Sequence, residues 1–214
     1  MSEKLPITVI VAARNEEANI GRCVAALAPA ERVVVVDSHS TDRTASIAAE
    51  QGADVIQFSH RGGYPRKRQW AMDNLAIRSA WVMLIDADEE VPPGLWEEIR
   101  SALGGNRADA FVVTKEFHFM GCRFRFGGFS HRAVMLFRRG AARFEELLQG
   151  DAGDGLDMEV HERLQVEGRL GPLATPLIHN DFKTLDAHIA KHQRYAAWEA
   201  RARLQFLETG SWGG

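Results

Sequence analysis

The sequence predicts an α/β fold, a mostly parallel sheet flanked by helices with a smaller region following it. Three observations predict it. Short apolar runs at residues 6–13 (PITVIVAA), 32–36 and 81–85 (WVMLI) have no polar alternation, which suits strands buried on both faces. Stretches with helical spacing separate them. Each run also ends in polar or acidic residues, where an open parallel sheet presents its ligand site.

Taken in order, the first run ends in Arg14-Asn15-Glu16-Glu17, and Ile20, Cys23, Val24 and Leu27 then recur at helical spacing up to Pro29. The run at 32–36 ends in Asp37-Ser38-His39-Ser40-Thr41-Asp42. A helix over about 43–51 is expected to stop at Gly52, a natural C-terminal cap. A short strand at 54–58 leads to the loop His60-Arg61-Gly62-Gly63-Tyr64-Pro65 and a helix over about 66–77. The run at 81–85 then enters Asp86-Ala87-Asp88-Glu89-Glu90, followed by Pro92-Pro93 at a helix start.

The second half reads differently. Residues 110–119 and 133–137 are expected strands without crossover helices between them. Residues 149–155 are rich in Gly and Asp and read as a mobile loop. Residues 170–178 read as one strand interrupted by Pro172 and Pro176. A final helix over about 185–207 carries Leu185, Ile189, Ala196, Trp198 and Phe206, interspersed with Lys191, Arg194, Arg201 and Arg203. One domain is the simplest organisation, with a binding half at 1–104 and a second half at 105–214.

The 214 residues, 45% of them hydrophobic and 26% charged, suffice for one domain with a substantial core. A net charge of −3 argues against generic nucleic-acid binding, which needs a basic field. No basic-then-apolar leader is present, and no run reaches the length of a membrane span. Cys23 and Cys122 make neither a disulfide framework nor a zinc site, so a reducing cytoplasm is expected. Cys23 reads as a small core residue.

The chemistry is expected at the strand ends. On an extended chain Asp86 and Asp88 point the same way, with no Lys or Arg near them in sequence, so both could face one hard cation. Mg²⁺ or Mn²⁺ bound by such carboxylates would hold a diphosphate; the alternative is a solvated acidic turn opening the next helix. Asp37 is placed to accept a hydrogen bond from a base imide N–H, or is an ordinary turn acid. Asp42 reads as a helix cap in the Ser40-Thr41-Asp42 turn. Lys67, Arg68 and Gln69 open a helix, where cations and free N–H groups favour an anion; a solvated basic turn is the alternative.

R-N-E-E after the first strand, V-V-D-S-x-S-T-D-R-T, R-Q-W-A and D-A-D-E together resemble the family 2 glycosyltransferases. The similarity is to bacterial members that elongate lipopolysaccharide core or related glycolipids, and it extends through Leu136-Phe137-Arg138-Arg139, Val160-His161-Glu162 and His179. The resemblance implies a GT-A-type, Rossmann-like fold and a metal-dependent, inverting transfer from a UDP-sugar to a saccharide or glycolipid acceptor. It implies donor contacts from Ala13, Arg14, Asn15, Glu16, Asp37, Lys67, Arg68, Asp86 and Ala87. Asp88 would ligate Mg²⁺ or Mn²⁺, with Asp86 and His179 beside it. Glu162 becomes the acceptor base, with His161 next to it and Asp157 and Glu159 as rivals.

Two stretches depart from the family pattern. Gly127-Gly128-Phe129-Ser130-His131-Arg132 is unlike the usual sequence before Leu136, and the chain stops soon after Leu207, where relatives continue. The competing readings are a sugar-phosphate nucleotidyltransferase, a glycoside hydrolase and a non-catalytic nucleotide-sugar-binding protein. The first normally has a Gly-rich loop with a Pro-Lys pair where Arg14-Asn15-Glu16-Glu17 stands. The second needs neither a base-reading Asp37 nor a metal. The basic, aromatic last helix is a candidate for peripheral membrane contact.

Overall fold

The computed structural model describes residues 3–60, 65–105, 107–119, 121–126, 130–145, 163–181 and 184–210. The first half alternates strand and helix: β1 (Leu5–Ala13), α1 (Ile20–Ala26), β2 (Ala30–Asp37), α2 (Thr44–Glu50), β3 (Asp54–Gln57), α3 (Lys67–Asn74) and β4 (Trp81–Asp86). β5 (Glu89–Glu90) and α4 (Pro93–Gly104) follow. Then come β6 (Ala110–Phe119), β7 (Cys122–Arg123), β8 (His131–Arg138), β9 (Ala142–Phe144), β10 (Leu164–Val166), β11 (Leu170–Pro172), β12 (Leu177–Asp181) and α5 (Leu185–Thr209).

The main sheet runs β3-β2-β1-β4-β8-β6-β12-β5, with β7 and β11 also on β6, and β9 pairs with β10 separately. β3, β2, β1 and β4 are parallel neighbours, so their carboxyl ends form one edge. β8 runs antiparallel to both β4 and β6. The fold is therefore the mixed α/β, mostly parallel arrangement expected.

Unbroken apolar runs form these strands because both faces are covered. Val9, Val11, Val35, Met83 and Ile85 pack with Ile20 and Leu27 on one face and with Leu95 and Ile99 of α4. Their neighbours Ile10, Val34, Val36, Val82 and Leu84 pack on the other face with Ala71 and Trp70 of α3 and Phe144 of β9. Alternate residues thus enter different halves of the core.

Several boundaries moved. α2 ends as expected before Gly52, whose φ of +87° is the left-handed geometry a glycine cap supplies. α3 stops at Asn74 instead of about 77, because Leu75 turns extended and delivers Ile77 into the core beside α3. The segment expected as one interrupted strand is two, β11 and β12, both parallel to β6. Between them the Glu98 carboxylate accepts the N–H groups of Ala174 (2.7 Å) and Thr175 (2.9 Å), replacing ladder bonds lost at the prolines. The Gly/Asp-rich segment 149–155 lies outside the described residues.

The exposed faces concentrate at the end of the chain. α5 carries exposed Leu185, Ile189, Leu204 and Leu207, while its His188 stacks against Phe117 and Phe119 of β6. No helix among the described residues is long and apolar enough to cross a membrane.

Cys23 lies in the core, 1% exposed, and burial together with Glu89, Asp88 and Asp86 pushes its thiol well up; Cys122 is exposed. A maleimide reagent is expected to modify Cys122 in the native protein and Cys23 only after denaturation. Mass spectrometry showing two rapid native modifications would contradict this packing.

Candidate active site

The carboxyl ends of β1 and β2 are laced together by side chains. Asn15 adopts φ +53°, tolerated by asparagine, and donates its N–H to Ser40 Oγ (2.8 Å) while its Oδ1 accepts from the Thr41 N–H (2.9 Å). Glu16 N–H donates to Thr44 Oγ1 (2.7 Å) and Glu17 N–H to Asp42 Oδ2 (3.2 Å). Asp42 also accepts from the Thr44 N–H (3.0 Å) at the start of α2, the capping role expected of it.

Asp37 ends β2 and is buried, 1% exposed. Its Oδ2 accepts from Ser40 N–H and Gln57 Nε2, both at 3.0 Å, and its Oδ1 accepts from the Ser40 hydroxyl. Both oxygens are fixed in place; Oδ2 already accepts two hydrogen bonds, and Oδ1 retains a second lone pair.

The acidic stretch at the end of β4 differs from the sequence reading in two ways. The strand ends at Asp86, and Ala87 and Asp88 form a turn before β5, so the two carboxylates are not successive outward residues of one extended chain. Nor is Asp86 without cations. Arg68 of α3 makes an ion pair with its Oδ1, and Lys115 Nζ of β6 lies 3.5 Å from its Oδ2. Burial raises the Asp86 carboxyl, but Arg68 and Lys115 outweigh it and hold the group far below the usual range. Ala87 packs its methyl into the core.

Asp88 meets a histidine. It is 5% exposed, and its Oδ2 lies 3.1 Å from Nε2 of His179 on β12. The strands place this pair directly, since His179 is the antiparallel partner of Glu89 and Asn180 N–H donates to the Asp88 carbonyl (2.9 Å). Phe117 meets the His179 ring edge-on at 5.2 Å. Burial disfavours the imidazolium, but the Asp88 charge and hydrogen bond prevail, with Glu89 and Asp86 assisting, and its pKa rises to about 9.

Glu89 and Lys115 were missed in the sequence reading. The Glu89 side chain is fully buried; its Oε2 accepts the Asp86 N–H (2.9 Å) and its Oε1 lies 2.5 Å from Lys115 Nζ. Burial pushes the Glu89 carboxyl up against the opposing pull of Lys115. Lys115 is itself held charged, because Glu89 and Asp86 overcome the effect of burial. The available signal was a lysine in an otherwise mostly apolar strand, but its partners are distant in sequence.

Lys67 fits neither the anion-binding cation expected at this helix start nor the solvated alternative. It is 1% exposed, with Nζ donating to the Ala13 carbonyl (2.8 Å), so it pins the end of β1 from beneath. Arg68 is the cation of this pair that reaches the acidic turn, and Arg14 is exposed at the rim. Gln69 is buried and accepts the Phe144 N–H (2.9 Å). His161 and Glu162, with Asp157 and Glu159, lie outside the described residues.

Among the described residues no three of His, Cys, Asp and Glu converge as a metal-holding group. The expected trio of Asp86, Asp88 and His179 is reduced to a facing pair, because Asp86 is turned to Arg68 and Lys115. One carboxylate and one imidazole still fit Mn²⁺, or Mg²⁺ with its preference for few protein ligands plus phosphate oxygens.

This architecture, with its polar and acidic strand ends, is a GT-A-type fold. The chain belongs to glycosyl transferase family 2, whose model matches residues 8–154. It is 28% identical over 214 residues to the lipopolysaccharide core biosynthesis glycosyltransferase LpsC of Rhizobium meliloti, covering 96% of this chain and 74% of that one. An uncharacterized glycosyltransferase of Rickettsia bellii is 34% identical over 116 residues, and there the match spans 53% of this chain and 38% of the relative. Among solved structures, S. aureus TarS 1-349 in complex with UDP-GlcNAc superposes with a TM-score of 0.54 at 18% identity, over 83% of this chain and 59% of that one.

The His179–Asp88 pair gives a pH expectation for the metal-free protein. Its histidine has a raised folded-state pKa, so its stabilisation is complete below about pH 6.5 and is lost as pH rises through about 9. The difference in melting temperature between wild type and His179→Ala should therefore shrink between pH 7 and 10. A difference that grows over that interval would rule out the charged pair.

Proposed function

We propose that this protein is a metal-dependent, inverting glycosyltransferase. It would move a sugar from a nucleotide-diphosphate donor, with UDP-sugars the first to test, to a saccharide or glycolipid acceptor in envelope polysaccharide synthesis. The observation that carries this reading is the Asp88–His179 pair, set beside the Arg68–Asp86–Lys115 cluster at the carboxyl edge of the parallel strands. Membership of family 2 and the similarity to LpsC support the reaction class and the acceptor class. The same membership weighs against the nucleotidyltransferase and hydrolase readings.

In this reading, Asp37, fixed by Ser40 and Gln57, accepts a hydrogen bond from the base. The laced loop of Arg14, Asn15 and Glu16 borders the nucleoside, and the Ala13 and Ala87 backbones line the floor. Arg68 and Asp86 contact the ribose and diphosphate, while Lys67 keeps the end of β1 in place. Asp88 and His179 would hold a divalent cation, which when bound would supply Lewis-acid neutralisation of charge on the diphosphate. Glu162, or a neighbour among His161, Asp157 and Glu159, removes the acceptor hydroxyl proton as that oxygen attacks the anomeric carbon. One displacement inverts the configuration, with no enzyme nucleophile required.

The division into a donor half at 1–104 and an acceptor half at 105–214 belongs to the same proposal. So does action at the cytoplasmic face of the plasma membrane. Exposed Leu185, Ile189, Leu204 and Leu207 on α5 support peripheral contact there.

With UDP-sugars, Asp88→Ala should lower metal-dependent transfer by about 10²-fold or more while the circular dichroism spectrum is unchanged. Glu162→Gln should retain donor binding and lower turnover by about 10²–10⁴-fold. Wild-type transfer by Asp88→Ala would refute the metal role; tight UDP binding without any transfer by the wild type would favour the non-catalytic reading.

A further inference from the structure

We propose that Lys115 is a positioning residue of this site: its ammonium fixes the acidic turn so that Asp88 and His179 are presented together to the donor. The inference rests on the glycosyltransferase reading above. Its basis is a split in the sheet.

The β4–β8 ladder ends at Met83↔Leu136, whereas β8 continues along β6 as far as His131↔Lys115. From Leu84 to Asp86 the pairing of β4 is with β1. Beyond the split, backbone bonds no longer tie the acidic end of β4 to the second half of the sheet on that side. Lys115 crosses the gap. Its side chain is 14% exposed, and Nζ lies 2.5 Å from Glu89 Oε1 and 3.5 Å from Asp86 Oδ2.

Glu89 returns the contact to the backbone, accepting the Asp86 N–H at 2.9 Å. One ammonium therefore clasps the first and last residues of the Asp86–Glu89 turn, with Asp88 between them. The turn's other flank is fixed by β5 on β12 and by the Asn180 N–H on the Asp88 carbonyl. The clasp and the β12 contacts together set where the Asp88 carboxylate points.

A neutral residue at 115 leaves the Glu89 carboxylate buried without its ammonium. The turn then has to open, or Arg68 or His179 has to be drawn from its own partner, and either change spoils the site. Asp86 also loses one of two cations that restrain its carboxylate. A purely structural ion pair behaves differently, because removing both of its charges restores stability and binding together.

The test measures UDP affinity with and without Mn²⁺ by calorimetry, alongside the melting temperature, for wild type, Lys115→Met, Lys115→Arg and Lys115→Met/Glu89→Gln. Lys115→Met should weaken Mn²⁺-dependent UDP binding by about 10–100-fold, the range for groups that orient a metal's ligands. Lys115→Arg should bind close to wild type. The charge-balanced double variant should regain most of the melting temperature while UDP binding stays weak. Wild-type affinity in the double variant, or in a folded Lys115→Met, would overturn the positioning role. If the wild type itself shows no Mn²⁺-dependent UDP binding, the failure is that of the glycosyltransferase reading, and the inference falls with it.

Discussion

Carboxylates at the end of a doubly buried strand have to be balanced by cations brought from elsewhere in the chain. Here Asp86, Asp88 and Glu89 meet Arg68 from α3, Lys115 from β6 and His179 from β12. No local sequence stretch could supply them, since the strand preceding the acids is packed on both faces. The wider fold can be understood from this need. α3 must start beside the end of β4, and β6 and β12 must extend far enough to bring their polar residues alongside the turn. The same balance divides the labour, leaving Asp86 clamped by two permanent cations and Asp88 opposite a histidine that can release its proton to another partner.

Much of the first half was legible because its signals are local. Unbroken apolar runs, helical spacing and the glycine after α2 each report on a few neighbouring residues, and the strands and helices follow them closely. β5, β7, β9 and β10 gave no such signal, because two or three residues cannot express a period. The site was legible by residue type more than by geometry. Aspartates at strand ends marked the right edge of the sheet, yet the partnership of Lys115 with Glu89, and the burial of Lys67 under β1, depend on contacts across the chain. A lysine at a helix start and a lysine in a strand look like surface residues until the sheet order is known.

The loops after β1 and β2 use a different device. They have few apolar residues to pack, so their geometry comes from hydroxyl and carboxylate groups bonding to backbone N–H donors, as between Ser40 and Asn15 or Thr44 and Glu16. A run of Ser, Thr, Asp and Asn read in sequence as capping and turn chemistry therefore also joins two strand ends into one rim. The rim has a defined shape without a hydrophobic core beneath every residue.

The interruption between β11 and β12 has a consequence for how this chain tolerates insertions. From Pro172 to Leu177 the chain advances five positions while β6 advances three, from Val112 to Lys115. The two surplus residues are taken up between the strands, and each segment keeps the facing that its own register with β6 dictates. A residue gained or lost within that detour lengthens or shortens the connection and leaves the imidazole at 179 on its side of the sheet as long as β12 keeps its register with β6. Only a slip of the β12 register itself by one position would turn that imidazole to the opposite face, so the pleat constrains the pairing and not the length of the detour.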